Sequence, residues 1–322
     1  MAIQYRSIPF MRYRHVVIGI SATIVFLALV LLGVRGLNYG LDFTGGTQVS
    51  LHYSGVPSLE EVRTTLTDNG YPKHEVVNMG NDQEVMVRVQ DSGNDAGAGG
   101  EAQDAEQVST QTAGHVLEIL KGATDLEVEV TGSSYVSSQV GQEMKELGIL
   151  GGLLSLFMIM MFIAFRFQFK FSVGAVVALT HDMILTLGFF ALTRMTFDLT
   201  VMAAVLAVTG YSLNETIVVS DRIRENLRVL RGVEPMEIID ISITQTMARS
   251  IITASLVVMV LLALLLVGGE AVHGFSAAML VGVFFGTTSS IYVTANMLLY
   301  LKISRQDLLV PVKKQEELDA LP

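Results

Sequence analysis

Two ionisable side chains lie next to each other inside a long apolar stretch. His181 and Asp182 fall about 11 residues into residues 171–193, roughly 17 Å from its start at the helical rise of 1.5 Å per residue. That depth is close to the midplane of a bilayer, where an ionisable side chain is costly and indicates a functional site. The imidazole titrates near physiological pH and could share or relay a proton with the carboxyl group. The alternative is a polar contact that only fixes helix packing.

A second carboxyl group lies in an unusually polar part of another apolar stretch, with the sequence GYSLNET. Tyr211 and Glu215 are four residues apart and share one helix face, with Ser212 and Thr216 beside them. Such a stripe must face protein or a water-filled cavity, because lipid cannot satisfy its polar groups. The alternative is that Glu215, about five residues from the end of the stretch, extends to the membrane surface.

One arginine lies just before the fifth apolar stretch, in the sequence TQTMARS. A guanidinium does not release its proton in practice, so Arg249 cannot carry protons. It could pair with Glu215 while that carboxyl group is ionised and lose the pairing on protonation. The alternative is an ordinary basic anchor at the membrane surface.

Glycines recur at helical spacing in two apolar stretches. Gly282 and Gly286 are four residues apart, and Gly148, Gly151 and Gly152 form a second group. Residues without a side chain let helices approach closely, so both groups predict helix packing. A third glycine-rich segment, GLDFTGGT at residues 40–47, lacks the Gly-Lys-Ser/Thr ending of a phosphate-binding loop, which excludes nucleotide binding there.

Six apolar stretches are long enough to cross a bilayer core of about 30 Å as helices. The 322 residues are 51% hydrophobic and 16% charged, whereas soluble domains carry about 25% charged residues. We therefore predict an α-helical membrane protein with six transmembrane helices, at residues 16–33, 147–165, 171–193, 199–220, 250–268 and 274–301.

The composition also excludes several kinds of site. The chain has no cysteine, so disulfides and thiolate metal sites are excluded. Six scattered histidines show no metal-ligand spacing, and neither a metal nor a cofactor is predicted. The net charge of −10 argues against nucleic acid as a partner.

The basic residues predict the orientation in the membrane. Lys and Arg are concentrated before the first stretch and after the second, fourth and sixth, and with six stretches all these segments fall on one side. The opposite side receives residues 36–145, which hold 17 Asp or Glu against 5 Lys or Arg, a net charge of −12. Both termini are therefore predicted to be cytoplasmic and the acidic segment to lie outside.

The acidic segment is predicted to fold as a small α+β domain between the first two membrane helices. Strand patterns at residues 47–53, 74–79, 84–90 and 126–131 combine with helical patterns at 58–69 and 101–120. The order β-α-β-β-α-β is that of ferredoxin-like domains. A turn at 80–82 joins the second and third strands, and residues 91–100 (DSGNDAGAGG) have the composition of a flexible linker.

The predicted organisation has five parts. A cytoplasmic tail at 1–15 precedes the first helix at 16–34, and the outer domain occupies 35–146. Helices two to six lie within 147–301 with a cytoplasmic loop at 221–249, and a cytoplasmic tail follows at 302–322.

Four segments resemble the SecF branch of the SecD/SecF family of protein-export membrane proteins. They are GLDFTGGT (40–47), ALTHDMILTLG (178–188), GYSLNETIVVSDRIREN (210–226) and SITQTMARSIIT (242–253). The resemblance implies half of a transporter of the resistance-nodulation-division (RND) superfamily, located in a bacterial inner membrane. Its periplasmic ferredoxin-like domain would be inserted between helices 1 and 2.

The same resemblance implies a function and partners. The chain would work with SecD and a proton or sodium gradient to complete the export of unfolded preproteins. SecD, the SecYEG translocon and YajC are the implied protein partners, besides the preprotein and the lipid bilayer.

The resemblance also assigns roles to particular residues. The family's key carboxylate of the fourth helix falls on Glu215 and its key arginine on Arg249, and Asp182 would help to supply a hydrated polar path. The family usually has Asp at the position of Glu215, so the carboxylate here reaches one methylene further.

Further residues would assist this group. His181, Asn214 and Tyr211 are predicted to support the carboxylates. The segment around Asp42, with Gly45 and Gly46, is predicted to act as a hinge of the outer domain or as a packing site.

Two other functions remain open at this point. One is a half-size small-molecule exporter of the same superfamily, although the outer domain is short for a drug pocket and a docking module. The other is a non-transporting scaffold, in which a neutral replacement such as Asp182→Asn would retain function.

Overall fold

The computed structural model describes residues 7–79, 82–90, 102–166 and 168–308. The predicted linker at 91–100, the first two residues of the predicted turn at 80–82, and residues 1–6 and 309–322 of the predicted tails lie outside these ranges. In chain order the elements are α1 (Arg14–Arg35), β1 (Asn38–Tyr39), α2 (Leu41–Thr44), β2 (Gly46–Tyr53), α3 (Leu59–Asp68), β3 (His74–Asn78), β4 (Glu84–Val89), α4 (Ala102–Ala123), β5 (Val128–Val136), α5 (Ser138–Arg166), α6 (Phe169–Thr193), β6 (Thr196–Phe197), α7 (Leu199–Val229), α8 (Pro235–Val267), α9 (Glu270–Ser289) and α10 (Ala295–Tyr300).

Six helices are long and apolar enough to cross a membrane, which confirms the predicted number in the described residues. They are α1, α5, α6, α7, α8 and the pair α9–α10. The last two are joined without a break by a π-helical segment, Ser290–Thr294. Such π segments are rare and often lie at functional sites.

The helix bundle has an interior and a periphery. α6, α7 and α9 are buried along much of their length, whereas α1, α5 and α8 expose large apolar side chains such as Phe26, Leu153 and Leu256. The peripheral helices are apolar on all sides, as expected of helices that face lipid. The interior helices carry the small and polar residues that let backbones approach and hydrogen bonds form between helices.

Two membrane helices are longer than their apolar stretches. α7 ends at Val229 instead of residue 220, and α8 begins at Pro235 instead of residue 250. The predicted loop at 221–249 is therefore mostly helical. Hydropathy identifies only the part of a helix that lies in the membrane, so the sequence pattern does not give these ends.

The region between the first two membrane helices contains a ferredoxin-like domain, as predicted. Its sheet has the order β3-β4-β2-β5, with all neighbouring strands antiparallel, and α3 and α4 pack on one face. Ser58 caps α3 by accepting a hydrogen bond from the N–H of Glu61 at 3.4 Å. β5 ends at Val136 and α5 begins at Ser138, so the second membrane helix starts before the predicted boundary at 146.

A small joint connects this domain to the ends of the third and fourth membrane helices. β1 pairs in parallel with β6, with Asn38 opposite Thr196 and Tyr39 opposite Phe197. The rings of Phe43 on α2 and Phe197 stack with their centroids 6.1 Å apart. The sequence analysis assigned no strand to residues 194–198, between the third and fourth predicted helices, because strands of two residues give no periodic signal.

Candidate functional site

Asp182 is the centre of a hydrogen-bond network that joins four membrane helices. Its carboxyl group, on α6 and 1% exposed, accepts hydrogen bonds from Ser212 Oγ on α7 at 2.5 Å and Ser289 Oγ on α9 at 2.7 Å. The other carboxyl oxygen lies 2.9 Å from Nδ1 of His181, whose Nε2 lies 2.6 Å from Ser21 Oγ on α1. These partners offset the cost of burying a carboxyl group in an apolar environment.

Glycines bring α9 against α7 at the level of this network. A Cβ atom on Gly282 would lie 2.1 Å from Cγ2 of Val208, and one on Gly286 would lie 3.1 Å from Cβ of Ser212. Only glycine fits at the first position without displacing the neighbouring helix. This close approach places Ser289 within reach of α6, and the packing role of Gly282 and Gly286 stays a prediction.

The second group of glycines is less closely packed. A Cβ atom on Gly148 would lie 2.7 Å from Sδ of Met202 on α7. Gly151 and Gly152 have open space where a Cβ atom would lie. The packing prediction therefore applies to Gly148 alone in this group.

Glu215 lies one turn beyond Ser212 on α7 and is 3% exposed. Its Oε1 accepts a hydrogen bond from Thr253 Oγ1 on α8 at 3.2 Å. The hydroxyl group of Tyr211 is buried beside Thr253 and Thr287 and makes no hydrogen bond of ordinary geometry. None of the ion pairs among the described residues includes Glu215.

The polar stripe of α7 faces three different helical segments. Ser212 contacts α6 and Glu215 contacts α8, as described above. Thr216 Oγ1 lies 3.3 Å from Oγ of Ser290, which begins the π-helical segment and donates to the carbonyl group of Gly286 at 2.6 Å. The stripe therefore faces protein, as predicted, and Glu215 does not extend to the membrane surface.

The predicted ion pair between Glu215 and Arg249 is absent from this conformation. Arg249 is exposed and lines a polar cavity of about 390 Å³ between α5, α7 and α8, together with Asp221 and Arg222. α8 instead presents Thr253, one turn further along, to Glu215. Thr253 also donates to the carbonyl group of Arg249 at 3.0 Å, so the two residues occupy the same side of α8.

Some predicted residues join the network and others do not. Asn214 is exposed on α7, away from the contacts of Asp182 and Glu215. Sequence reasoning did not assign Ser21, Ser289 or Thr253. Serine and threonine are ordinary residues of membrane helices, so their presence alone gave no distinctive signal.

Asp42, a residue of α2, contacts the N-terminus of α7. Its Oδ2 accepts a hydrogen bond from the N–H of Leu199, the first residue of that helix, at 3.1 Å. Asp198 caps the same helix through the N–H of Val201 at 2.7 Å. The pKa of Asp198 is raised, and burial is the main cause. The negative charge of Asp42 also raises this pKa, whereas the hydrogen bond from the Val201 N–H and the positive charge of Arg88 partly offset the increase.

The two glycines after Asp42 occupy positions that favour glycine. Gly45 ends α2 with φ of 72°, and Gly46 begins β2 with φ of 137°. A Cβ atom on Gly46 would lie 2.5 Å from the carbonyl oxygen of Val89. The segment is closely packed in this conformation, and its role as a hinge or packing site stays a prediction.

The chemistry available here is that of two buried carboxyl groups, Asp182 on α6 and Glu215 on α7, each bonded to at least one hydroxyl group that can donate or accept. A carboxyl group that takes up a proton becomes a donor, and a neighbouring hydroxyl group can then accept from it. In the described ranges no three His, Cys, Asp or Glu residues lie close enough to hold a metal ion together.

Comparison with known proteins gives the family. Residues 115–304 match the family described as protein export membrane protein SecD/SecF, C-terminal, and residues 30–55 match the SecD/SecF GG motif. The protein translocase subunit SecF of Vibrio alginolyticus is 40% identical over 320 residues, covering 98% of each chain. That of Escherichia coli O157:H7 is 37% identical over 310 residues, covering 96% of this chain and 93% of the relative.

Solved structures agree. The crystal structure of SecDF, a translocon-associated membrane protein from Thermus thermophilus, superposes with a TM-score of 0.77 at 29% identity. The match covers 94% of this chain and 40% of the SecDF chain, so this chain corresponds to less than half of that protein. By these matches, the chain belongs to the SecD/SecF family of protein-export membrane proteins.

Proposed function

We propose that the chain is a SecF-type subunit of a protein translocase in the bacterial inner membrane, where an ion gradient drives the last stage of polypeptide export. Glu215 carries the proposal. It is a buried carboxyl group with one hydroxyl partner and, in the described part of the chain, no ion pair. An ionisable side chain buried in a membrane helix and facing protein marks an ion pathway by default, so we assign the binding of a proton or sodium ion to this carboxyl group.

Ion binding at Glu215 would change the position of α8. Arg249 and Thr253 are one turn apart on α8, about 6 Å along the helix. Neutral Glu215 favours the conformation described here, with Thr253 beside it. Ionised Glu215 favours a second conformation in which α8 moves by about one turn and Arg249 replaces Thr253.

The membrane potential is large enough to drive this change. One charge that crosses the potential supplies about 2.3 kcal/mol per 100 mV. That free energy shifts a two-state equilibrium by about fiftyfold. In this mechanism Asp182 and its serine partners supply the polar path by which the cation reaches the interior of the bundle.

The charge distribution supports a topology. The basic ends of the membrane helices would lie in the cytoplasm with both termini, and the acidic ferredoxin-like domain would lie in the periplasm. In this orientation the outer ends of α6 and α7 face the same compartment as the domain that would act on the exported polypeptide.

The partners follow from the relatives. SecD is the proposed obligate partner, because this chain matches only 40% of the solved SecDF chain. SecYEG and YajC are further proposed partners, and an unfolded preprotein is the proposed substrate. The protein is proposed to act without a cofactor, as a transport component and not as an enzyme.

Gradient-driven export in inverted vesicles tests the proposal. Vesicles would contain the chain with its SecD partner and the translocon, and export would be followed after ATP is removed, with and without a proton or sodium gradient. We expect the gradient to stimulate export in wild type. Glu215→Gln and Arg249→Met should both lose the stimulation, while Thr253→Ser, which keeps the hydroxyl group, should retain it.

Each other outcome has a clear meaning. Stimulation that survives in Glu215→Gln would move the ion site away from Glu215. A gradient without effect in wild type, with either ion, would favour the scaffold function. The small-molecule exporter is disfavoured by the outer domain, which has one four-stranded sheet and two packed helices in the described residues.

A further inference from the structure

α7 connects the ion-binding region to the outer domain as one continuous helix. It begins at Leu199, next to the outer domain, and carries Ser212 and Glu215 in its middle. Glu215 lies 16 positions after Leu199, which corresponds to about 24 Å along the helix. A helix without a break moves as a unit over this length, so a displacement at Glu215 reaches the N-terminus of α7.

Asp42 holds that N-terminus from the side of the outer domain. The first four N–H groups of a helix have no partner inside the helix. Asp198 satisfies one of them locally, whereas Asp42 satisfies the N–H of Leu199 from 157 residues earlier in the chain. Asp42 also precedes by four residues the start of β2, a central strand of the outer sheet. This bond therefore joins α7 to the base of the sheet.

The base of the sheet is closely packed. A Cβ atom on Gly46 would lie 2.5 Å from the carbonyl oxygen of Val89 on β4. A Cβ atom on Gly141 of α5 would lie 2.9 Å from the backbone nitrogen of Gly45. These contacts pack α2, the sheet and α5 closely together, so a displacement of α7 would be passed on to the sheet through Asp42.

A second contact joins the sheet to the membrane helices. Thr196 Oγ1 donates to Glu75 Oε1 at 2.5 Å, and Glu75 pairs with Arg88 at 3.2 Å. All three residues line a polar cavity of about 410 Å³ together with Asp42 and Asp198. This contact lies at the edge strand β3, whereas Asp42 lies four residues before the central strand β2.

We propose that Asp42 is a positioning residue that transmits the displacement of α7 to the outer domain. The inference rests on the proposed function, because it assigns a mechanical output to ion binding at Glu215. Asp42 lies about 24 Å from the level of Glu215 along α7, so ion movement does not require it. Loss of Asp42 therefore uncouples ion movement from export.

Two variants at this position and one control test the inference. Asp42→Ala removes the acceptor for the N–H of Leu199, whereas Asp42→Asn keeps an acceptor oxygen at the same distance from the backbone. Asp68→Ala removes an exposed carboxyl group at the end of α3 and serves as the control. Each variant is reconstituted with its SecD partner and the translocon, and ion uptake and preprotein export are measured in the same vesicles.

The expected result is a separation of the two activities. In Asp42→Ala, gradient-stimulated export is lost, while ion uptake stays close to wild type. Asp42→Asn and Asp68→Ala retain both activities. Recovery of each variant in complex with SecD shows that it is folded.

Other results overturn the inference. If Asp42→Ala lowers ion uptake and export in parallel, or changes neither, Asp42 does not couple them. A wild-type complex that shows no gradient-stimulated export would refute the proposed function itself, and the coupling role with it. The two failures differ in whether the wild type or only the variant departs from expectation.

Discussion

Substitution of Asp182 separates a structural role of its network from a role in ion coupling. Alanine removes all three contacts and leaves Ser212, Ser289 and His181 without their partner. Asparagine has the same shape and keeps one acceptor oxygen, and its amide group adds donors. The two serine hydroxyl groups and the imidazole can reorient to match it. Asparagine therefore preserves the connections between helices but cannot bind or release a proton.

The expected magnitudes follow from the number of contacts. Hydrogen bonds between membrane helices contribute about 0.6 kcal/mol on average and up to about 1.7 kcal/mol. The loss of three contacts in Asp182→Ala should lower the free energy of unfolding by roughly 2–5 kcal/mol. Asp182→Asn should lower it by less than about 1 kcal/mol, because each group still finds a partner.

Two assays on the same purified variants give the answer. Unfolding with a denaturing detergent in mixed micelles measures the free energy of unfolding, and vesicle export with and without a gradient measures coupling. We expect Asp182→Asn to be nearly as stable as wild type and to lose gradient stimulation. Normal stimulation in Asp182→Asn would refute the coupling role and favour a scaffold. Wild-type stability in Asp182→Ala would refute the reasoning about the network.

Two further predictions concern packing and pH. Gly282→Ala should destabilise the protein by about 1–3 kcal/mol, because its Cβ atom would overlap Val208. Val208→Ala should restore part of this loss in a double-mutant unfolding cycle, and Gly151→Ala, which has open space, should have little effect. The pKa of the Asp198 carboxyl group is raised in the folded protein above its value of 3.8 in the unfolded chain, so the folded protein binds the proton of this group more tightly. The stability that this protonation contributes is fully present below pH 3.8 and is lost as the pH rises through the pKa of the folded state. Asp198→Asn keeps the helix cap, so thermal melts should show it at least as stable as wild type at pH 7, with no advantage below pH 3.8; a loss of stability at pH 7 would contradict this.

The sequence predicted the elements better than their contacts. Six membrane helices and the β-α-β-β-α-β domain follow from apolar length and strand periodicity, which are local properties. The depth of Asp182 inside an apolar stretch marked it as a candidate from the sequence alone. Glu215 lies nearer the end of its stretch, and the family resemblance was needed to favour a functional role over a surface position. The structure bears out their burial.

The partners of these residues depend on helix rotation and depth, which a single sequence does not determine. Arg249 was expected beside Glu215, but α8 presents Thr253 at that level because Arg249 lies one turn earlier. The serines that bind Asp182 come from α7 and α9, and their approach depends on glycine packing between those helices. The segment around Asp42 was singled out as a hinge or packing site, but its bond to the N–H of Leu199 was missed because the two residues are 157 positions apart and leave no local pattern.

The π-helical segment at Ser290–Thr294 sets the relative phase of the two halves of the sixth membrane helix. A π turn closes its hydrogen bond at i→i+5 and so holds one more residue than an α turn. Without that extra residue, the half that carries Gly282, Gly286 and Ser289 would be rotated by about 100° relative to α10. Ser289 could then reach Asp182 only if α10 gave up its own packing. The one additional residue in the π turn thus lets Ser289 on α9 bond to Asp182 while α10 keeps its own packing.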